Sequence, residues 1–491
     1  MTSPRPTPDP AATAAPTGRA TEQPVENRPR FSRGLALLVA ITFFMEILDG
    51  TIIATAAPAM AVHLQVAPVD INIAMTAYLI TIAVGIPVSG WLTDKLGGRR
   101  IFMVAVALFT VASVLCALST SLPMLCVMRV LQGLGGAMMV PVGRLVVLRA
   151  TAKRDLLDAI AYLTWPALIA PVVAPAVGGW LVTYASWHWI FLINIPLGLA
   201  ALVAAWRLVP ALRTEQVPAL DWLGFVLCGT ALAALLLGIE GLGGHGWLPA
   251  IGLIMLAVAL GFGTVLRMRG AAYPLLDFAA LRVRTFRVSN GSGMVYRLVI
   301  NAAPFVLPLM FQVGFGWSAV DAGFMVLMLF AGNVLIKPAT SPLIRRFGFR
   351  TVIVGSALGG AVMFALCALL QPGTPAVLIA AVLFLSGVFR SIGFSGYNSL
   401  QFADISDAQM AGANTLSSTV GQVAAALGVA FGALSLRLGD GLLSSVAPNL
   451  GPVASYQFAF AAMAVAMVYP VVGALVALHH TAGHEVAGGR K

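Results

Sequence analysis

Charge is scarce in this chain. Of its 491 residues only 10% are Asp, Glu, Lys or Arg, whereas 59% are hydrophobic. A water-soluble domain carries about a quarter charged residues, so water is excluded as the main solvent of the fold. Cysteine is scarce too. Cys116, Cys126, Cys228 and Cys367 stand far apart inside apolar runs, which leaves neither a disulfide framework nor a metal-ligand spacing. His, Cys and carboxylates do not cluster at one membrane face, as an integral-membrane enzyme would need. No Gly-rich loop ending in Lys-Ser/Thr is present, so ATP hydrolysis has no support. The net charge of +11 is spread over short loops rather than gathered on one face. That distribution suits attraction to an anionic lipid leaflet, and no nucleic-acid partner is expected.

What the sequence has in abundance is long apolar runs. Residues 1–33, rich in Pro, Thr, Ala and Arg, lack the apolar core of a signal peptide and read as a disordered cytoplasmic tail. A helix needs roughly 20 apolar residues to cross the hydrocarbon core. That length predicts spans at 34–59, 71–93, 101–119, 122–147, 157–183, 188–208, 221–241, 248–267, 288–314, 318–341, 350–371, 375–400, 411–436 and 455–478, fourteen in all. Alternate loops hold Lys95, Arg99 and Arg100; Arg149, Lys153 and Arg154; Arg207 and Arg213; Arg267 through Arg287; and Arg345, Arg346 and Arg350. The intervening loops are almost free of basic residues, with Arg437 the exception. The positive-inside rule therefore places both termini in the cytoplasm.

The chain also repeats. Ser89-Gly-Trp-Leu-Thr-Asp-Lys-Leu-Gly-Gly-Arg99 aligns with Ser341-Pro-Leu-Ile-Arg-Arg-Phe-Gly-Phe-Arg350, each between the second and third helices of a six-helix unit. The expected architecture is an all-α polytopic membrane protein. It has a six-helix bundle at 34–208, an inserted transmembrane hairpin at 221–267, a second bundle at 288–478 and a cytoplasmic tail at 479–491. Two parallel repeats imply a site between them and a rocking motion that exposes it to each side in turn.

Several stretches match a known pattern. Leu48-Asp-Gly-Thr-Ile-Ile-Ala-Thr-Ala-Ala-Pro58 is similar to the first-helix signature of the fourteen-helix drug:proton antiporters of the major facilitator superfamily. Gly90-Trp-Leu-Thr-Asp94-Lys-Leu-Gly-Gly-Arg99-Arg100 resembles the superfamily's loop motif. Arg129-Val-Leu-Gln132-Gly133 resembles the fourth-helix motif, and Ala170-Pro171-Val-Val-Ala174-Pro175-Ala-Val-Gly178-Gly179-Trp180 the antiporter motif of the fifth helix. Ser186-Trp-His-Trp-Ile-Phe-Leu-Ile-Asn194-Ile-Pro196 follows as in that family. Ala170 and Ala174 stand where glycine is usual, His188 where arginine is usual, and Glu46 is an additional acid. The resemblance implies the major facilitator fold and multidrug export across the bacterial inner membrane. It also implies drive from the proton gradient without a cofactor, an amphipathic small-molecule cargo and action as a monomer. A proton-coupled importer, a metabolite or siderophore exporter and a lipid transporter share the fold. A channel is disfavoured by the repeat.

Glu46, Asp49 and Arg129 are the most informative residues. A carboxylate in mid-membrane costs at least roughly 2.5–3.5 kcal/mol and is kept only with a partner or a function. At about 1.5 Å per residue, Asp49 lies roughly 13 Å below the outer end of helix one. Arg129 lies roughly 10 Å below the outer end of helix four, in the same layer. Glu46, three residues earlier, shares Asp49's face. Burial favours a protonated carboxyl and a nearby guanidinium an ionised one, so motion between states could load and unload a proton. The alternative is a permanent Asp49–Arg129 bridge, with Glu46 facing water. A second acid would also admit cationic cargo or raise the proton count.

Gly90, Asp94, Gly97, Arg99 and Arg100 read as a conformational latch. In it, Asp94 sits against the positive end of the helix starting near Gly412; otherwise these cations are simply positive-inside residues. Pro171 and Pro175 bend helix five, Gly178 and Gly179 permit tight packing, and the resemblance puts the stretch at the seam between halves. Tyr296, Arg297, Asn301, Arg390 and Asn398 are candidates for the substrate cavity, where two cations would favour anionic or zwitterionic cargo. In the two-fold scheme Arg390 is the counterpart of Arg129. Snorkelling toward the cytoplasm, or pairing with backbone carbonyls, is the alternative for both arginines, and snorkelling is the default for Arg144 and Lys337.

Overall fold

The computed structural model describes residues 32–66, 70–210, 219–242, 247–271, 274–446 and 453–479. The two expected tails lie outside these residues, apart from their innermost positions. Every regular element described is helical. The first group comprises α1 (Arg33–Leu64), α2 (Ile71–Leu96), α3 (Gly98–Ala117), α4 (Leu122–Ala150), α5 (Leu156–Tyr184), α6 (Trp189–Leu192) and α7 (Asn194–Leu208). A hairpin of α8 (Trp222–Leu242) and α9 (Trp247–Gly270) follows. The last group holds α10 (Arg284–Asn290), α11 (Ser292–Leu309), α12 (Ala319–Leu335), α13 (Lys337–Cys367), α14 (Ala376–Ala403), α15 (Met410–Val446), α16 (Ala454–Ala466) and α17 (Val468–Ala477). Among the described residues twelve helical stretches are long and apolar enough to cross a membrane. In lipid only structures that satisfy their backbone internally can do so.

Local chemistry sets the ends and breaks. Ser32 and Ser121 cap α1 and α4 by accepting the amides of Leu35 and Met124, which removes an orphan donor from each first turn. The sharp turn between α2 and α3 is made at Gly97, with φ 90° and ψ 135°. Its counterpart in the aligned repeat, Gly348, has φ 76° and ψ 162° and breaks α13 in two. Both positions lie in a region that side-chain-bearing residues rarely adopt. The expected spans 318–341 and 350–371 therefore appear as α12 plus the start of α13, and the rest of α13.

Lipid tails are as apolar as the side chains, so association relies on close packing rather than on expulsion of water. In the first group α1 packs along α5, α3 along α4 and α7, and α2 along α4. In the last group α11 packs along α15, and α14 along both α12 and α13. The first group's apolar core is split into two clusters. One contains Met45, Phe109, Met139 and Ala201; the other contains Leu48, Cys116, Leu125 and Phe191. The gap falls at one level of α1, α3, α4 and α7. The last group's core is one cluster that also takes in Leu145, Leu156 and Ile160 of the first group and Leu232 of the hairpin.

Candidate functional site

The gap in the first group's core is filled with polar side chains. Asp49 and Arg129 form an ion pair with both side chains at 0% exposure. Asp49 Oδ1 also accepts from Gln132 Nε2 at 2.8 Å and from Asn194 Nδ2 at 2.9 Å. Gln132 Oε1 accepts from Arg129 at 2.6 Å, and Gln132 Nε2 also donates to Ser113 Oγ at 2.8 Å. Four helices thus each place a polar residue here: Asp49 on α1, Ser113 on α3, Arg129 with Gln132 on α4, and Asn194 at the start of α7. The Arg129 guanidinium lies 3.8 Å from the centroid of the Tyr78 ring, a geometry in which ring and cation attract. The Tyr78 hydroxyl donates to the Glu46 carbonyl at 3.2 Å.

Glu46 stands one turn away from this network and outside it. Its Oε2 is buried and has no hydrogen-bond partner among the described residues. Two acids on one helical face therefore have opposite surroundings. Asp49 is saturated with donors; Glu46 has no counter-ion among the described residues.

The second group carries the echo of this arrangement with one difference. Arg390 on α14 donates to the backbone carbonyl of Ile300 on α11 at 2.6 Å, where Arg129 meets a carboxylate on α1. The Tyr296 hydroxyl donates to the carbonyls of Phe389 and Arg390 at 2.9 and 3.2 Å. Tyr296 and Arg390 thus sit inside the second group beside Ser386 and Met467, with Arg390 on a backbone carbonyl, which was the alternative to a place in the substrate cavity. Arg297 is buried, donates to Asn398 Oδ1 at 3.0 Å and Gln401 Oε1 at 3.2 Å, and keeps an unpartnered Nη1. Asn301 packs against Gly428 of α15. Lys337 is buried and donates to Ser395 at 2.6 Å.

The seam between the groups is shut at the arginine-rich ends of the helices. Asn414 of α15 donates to the Pro141 carbonyl of α4 at 3.0 Å, and Arg345 pairs with Asp158 of α5 at 2.9 Å. Arg144 of α4 stacks over Phe402 of α14 at 4.9 Å. A Cβ at Gly90 would collide with Thr415 Oγ1, so only glycine permits that approach of α2 to α15. Asp94 pairs with Arg149 of its own group at 2.9 Å, both 24% exposed, while lining the same cavity as Gly412. Arg99 donates to the Trp206 carbonyl, and Arg100 is exposed.

In α5, a Cβ on Gly178 would lie 2.8 Å from Ile52 Cγ1, and one on Gly179 3.9 Å from Thr55 Cγ2. The glycine pair thus faces α1, one turn beyond Asp49. Pro171 is half-buried in α5, and the side chain of Pro175 falls outside what the structure describes. Ser113, Tyr78 and Asn194 escaped the sequence reading as site residues. Asn194 lay within a motif already noted, whereas Ser113 and Tyr78 carried no signal beyond a polar group within an apolar run.

The sequence pattern of the Major Facilitator Superfamily matches residues 39–429. The chain is 38% identical over 415 residues to multidrug resistance protein MdtD of Pectobacterium atrosepticum, covering 84% of this chain and 88% of that protein. It is 39% identical over 398 residues to the MdtD of Serratia proteamaculans, covering 80% and 82%. Both relatives carry that name provisionally. Among solved structures, the human organic anion transporter MFSD10 superposes with a TM-score of 0.66 at 15% identity, over 90% of this chain and 99% of that one. The proton:xylose symporter XylE superposes with a TM-score of 0.58 at 13% identity, over 90% and 94%. The chain is therefore a multi-pass membrane transporter, not an enzyme, and belongs to the Major Facilitator Superfamily.

Proposed function

We propose that this protein exports amphipathic small molecules from the cytoplasm in exchange for protons, by alternating access. The observation that carries the reading is the pair of unlike acids on α1. Asp49 holds Arg129, Gln132 and Asn194 in one sealed layer, while Glu46 has a buried oxygen without a partner. A proton arriving at Glu46 removes a charge that nothing balances. A proton arriving at Asp49 releases Arg129 and loosens four helices at once. The first step loads; the second couples loading to movement. The multidrug resistance relatives support the cargo class.

The arginine-rich face is the cytoplasmic one on this reading, so the shut seam belongs to an outward-facing state with both termini inside. Fourteen spans follow if α5 and the 17-residue α12 cross as well, and if Gly348 divides α13 between two spans. The inner membrane of a bacterium is the expected location. A second reading, export of an anionic or zwitterionic metabolite or lipid, is favoured by one observation. The buried cations Arg297 and Lys337 meet neutral oxygens of Asn398, Gln401 and Ser395, and the Arg297 Nη1 is free to receive an anion.

The test is efflux of a panel of cationic, neutral and anionic dyes and drugs from vesicles with an imposed proton gradient. Wild type is expected to move some of the panel only with the gradient, and Asp49→Asn none of it. Transport indifferent to the gradient removes the antiport reading, and transport of anions alone selects the second cargo class.

A further inference from the structure

The hairpin of α8 and α9 lies beside the seam between the groups. Its first helix, α8, packs against both α2 and α15, the two helices that meet across the seam between the groups. At mid-helix the packing is tight: a Cβ on Gly229 would lie 2.9 Å from Val84 Cγ1 of α2. The three helices separate toward the arginine-poor face. Between them lies a cavity of about 410 Å³, walled by Leu79 of α2, Leu236 of α8, and Val423 and Ala426 of α15. That volume falls in the range of small-molecule sites, roughly 300–1,000 Å³. Three polar side chains interrupt the apolar walls, Thr76, Gln422 and Glu240, and of these only Glu240 is charged. Among the described residues lining it, none is basic.

An apolar chamber with one carboxylate at its rim has a definite complement. We propose that this lateral cavity binds a monovalent amphipathic organic cation, whose apolar body fills the space between α2, α8 and α15 and whose charge lies at Glu240. Charge complementarity separates it from the central seam, where Arg144, Arg297 and Lys337 repel a cation and Glu240 is absent. The hairpin thereby takes part in binding, supplying the acid and one wall of a second site. Glu240 stands two residues before the end of α8, at the level where water and headgroups begin, so its charge need not be buried before the guest arrives. The site stands on its own geometry and does not depend on proton coupling.

The test uses the full-length protein in phosphatidylcholine nanodiscs with no gradient. Binding of tetraphenylphosphonium is measured by equilibrium dialysis, with tetraphenylborate as an anion of the same shape. Glu240→Gln is expected to weaken the cation about fivefold, the effect of one half-exposed ion pair, and to leave the anion unchanged or tighter. Ala425→Trp, which fills the cavity from α15, is expected to abolish cation binding at this site, while a normal melting temperature shows that the variant folds. Binding is read at equilibrium with no gradient, so failure of the antiport reading and failure of this one are distinguishable. Unchanged cation affinity in both Glu240→Gln and Ala425→Trp overturns the proposal. So does loss of binding when phosphatidylethanolamine replaces phosphatidylcholine, because the occupant is then the small primary ammonium of that lipid and not an amphipathic organic cation.

Discussion

Removing one partner of a buried ion pair strands the other charge, at a cost of about 3–5 kcal/mol, whereas removing both is close to neutral. Arg129→Met should therefore lower the melting temperature of the purified protein sharply. Arg129→Met combined with Asp49→Asn should recover most of that stability and none of the transport. A double variant as unstable as the single one would mean the pair is not the organising contact of this layer. Asp49 and Arg129 were legible in the sequence because charges inside apolar runs are conspicuous and helix length places them at one depth. Which acid is paired was not legible. Glu46 and Asp49 share a helical face, and only the positions of α3, α4 and α7 decide that Gln132, Ser113 and Asn194 converge on Asp49. Arg390 shows the same limit from the other side. Its pseudo-symmetric position was readable, and so was a backbone carbonyl as its alternative partner, but every residue has a carbonyl and no sequence displays which one is met.

Helices in lipid pack by surface fit, so a single methyl group can decide an interface. Gly178 and Gly179 make a matched pair on α5. Gly178→Val should push α5 away from Ile52 and cost about 1–3 kcal/mol, read as a lower melting temperature with loss of transport. Gly179→Val, whose Cβ would stand in ordinary van der Waals contact with Thr55, should change stability by less than half as much. Equal effects would remove α1 as the partner of this face. The motif's spacing announced tight packing, but not which helix would be packed against. At the arginine-poor end, His188 stacks on Trp187 at 3.9 Å and meets His63 edge-on at 5.3 Å. Burial first, and then the charge of His63, hold the His188 pKa below its ordinary 6.5. The unfolded chain therefore binds the proton more readily, and this corner's stability should fall as pH drops through about 6.5 and downward. Tryptophan fluorescence melts of wild type and His188→Phe should diverge below that pH only. Parallel curves throughout would contradict the assignment.

At the scale of the whole molecule, the two helical groups touch at the arginine-rich end, and glycine controls one of the contacts there. Gly90→Leu cannot keep Thr415 where it is, so the variant should favour the state open at the arginine-rich face. Ala411→Cys, in a background without the four native cysteines, should then react faster with a polar thiol reagent added from that side. Unchanged reactivity would place the closing contact elsewhere. The repeat, the hairpin and the basic loops were readable because hydropathy, arginine distribution and the aligned segments at Ser89 and Ser341 are one-dimensional signals. The closed end was not, since one sequence must serve every conformation of the cycle and singles out none. Coupling between these states and the proton is the central claim. It is tested most directly in vesicles holding a pH-sensitive dye, with no gradient imposed, by adding a transported cargo to one side. Cargo entry should drive protons the other way in wild type and fail to do so in Asp49→Asn and in Glu46→Gln. Proton movement that persists undiminished in both variants would contradict the account.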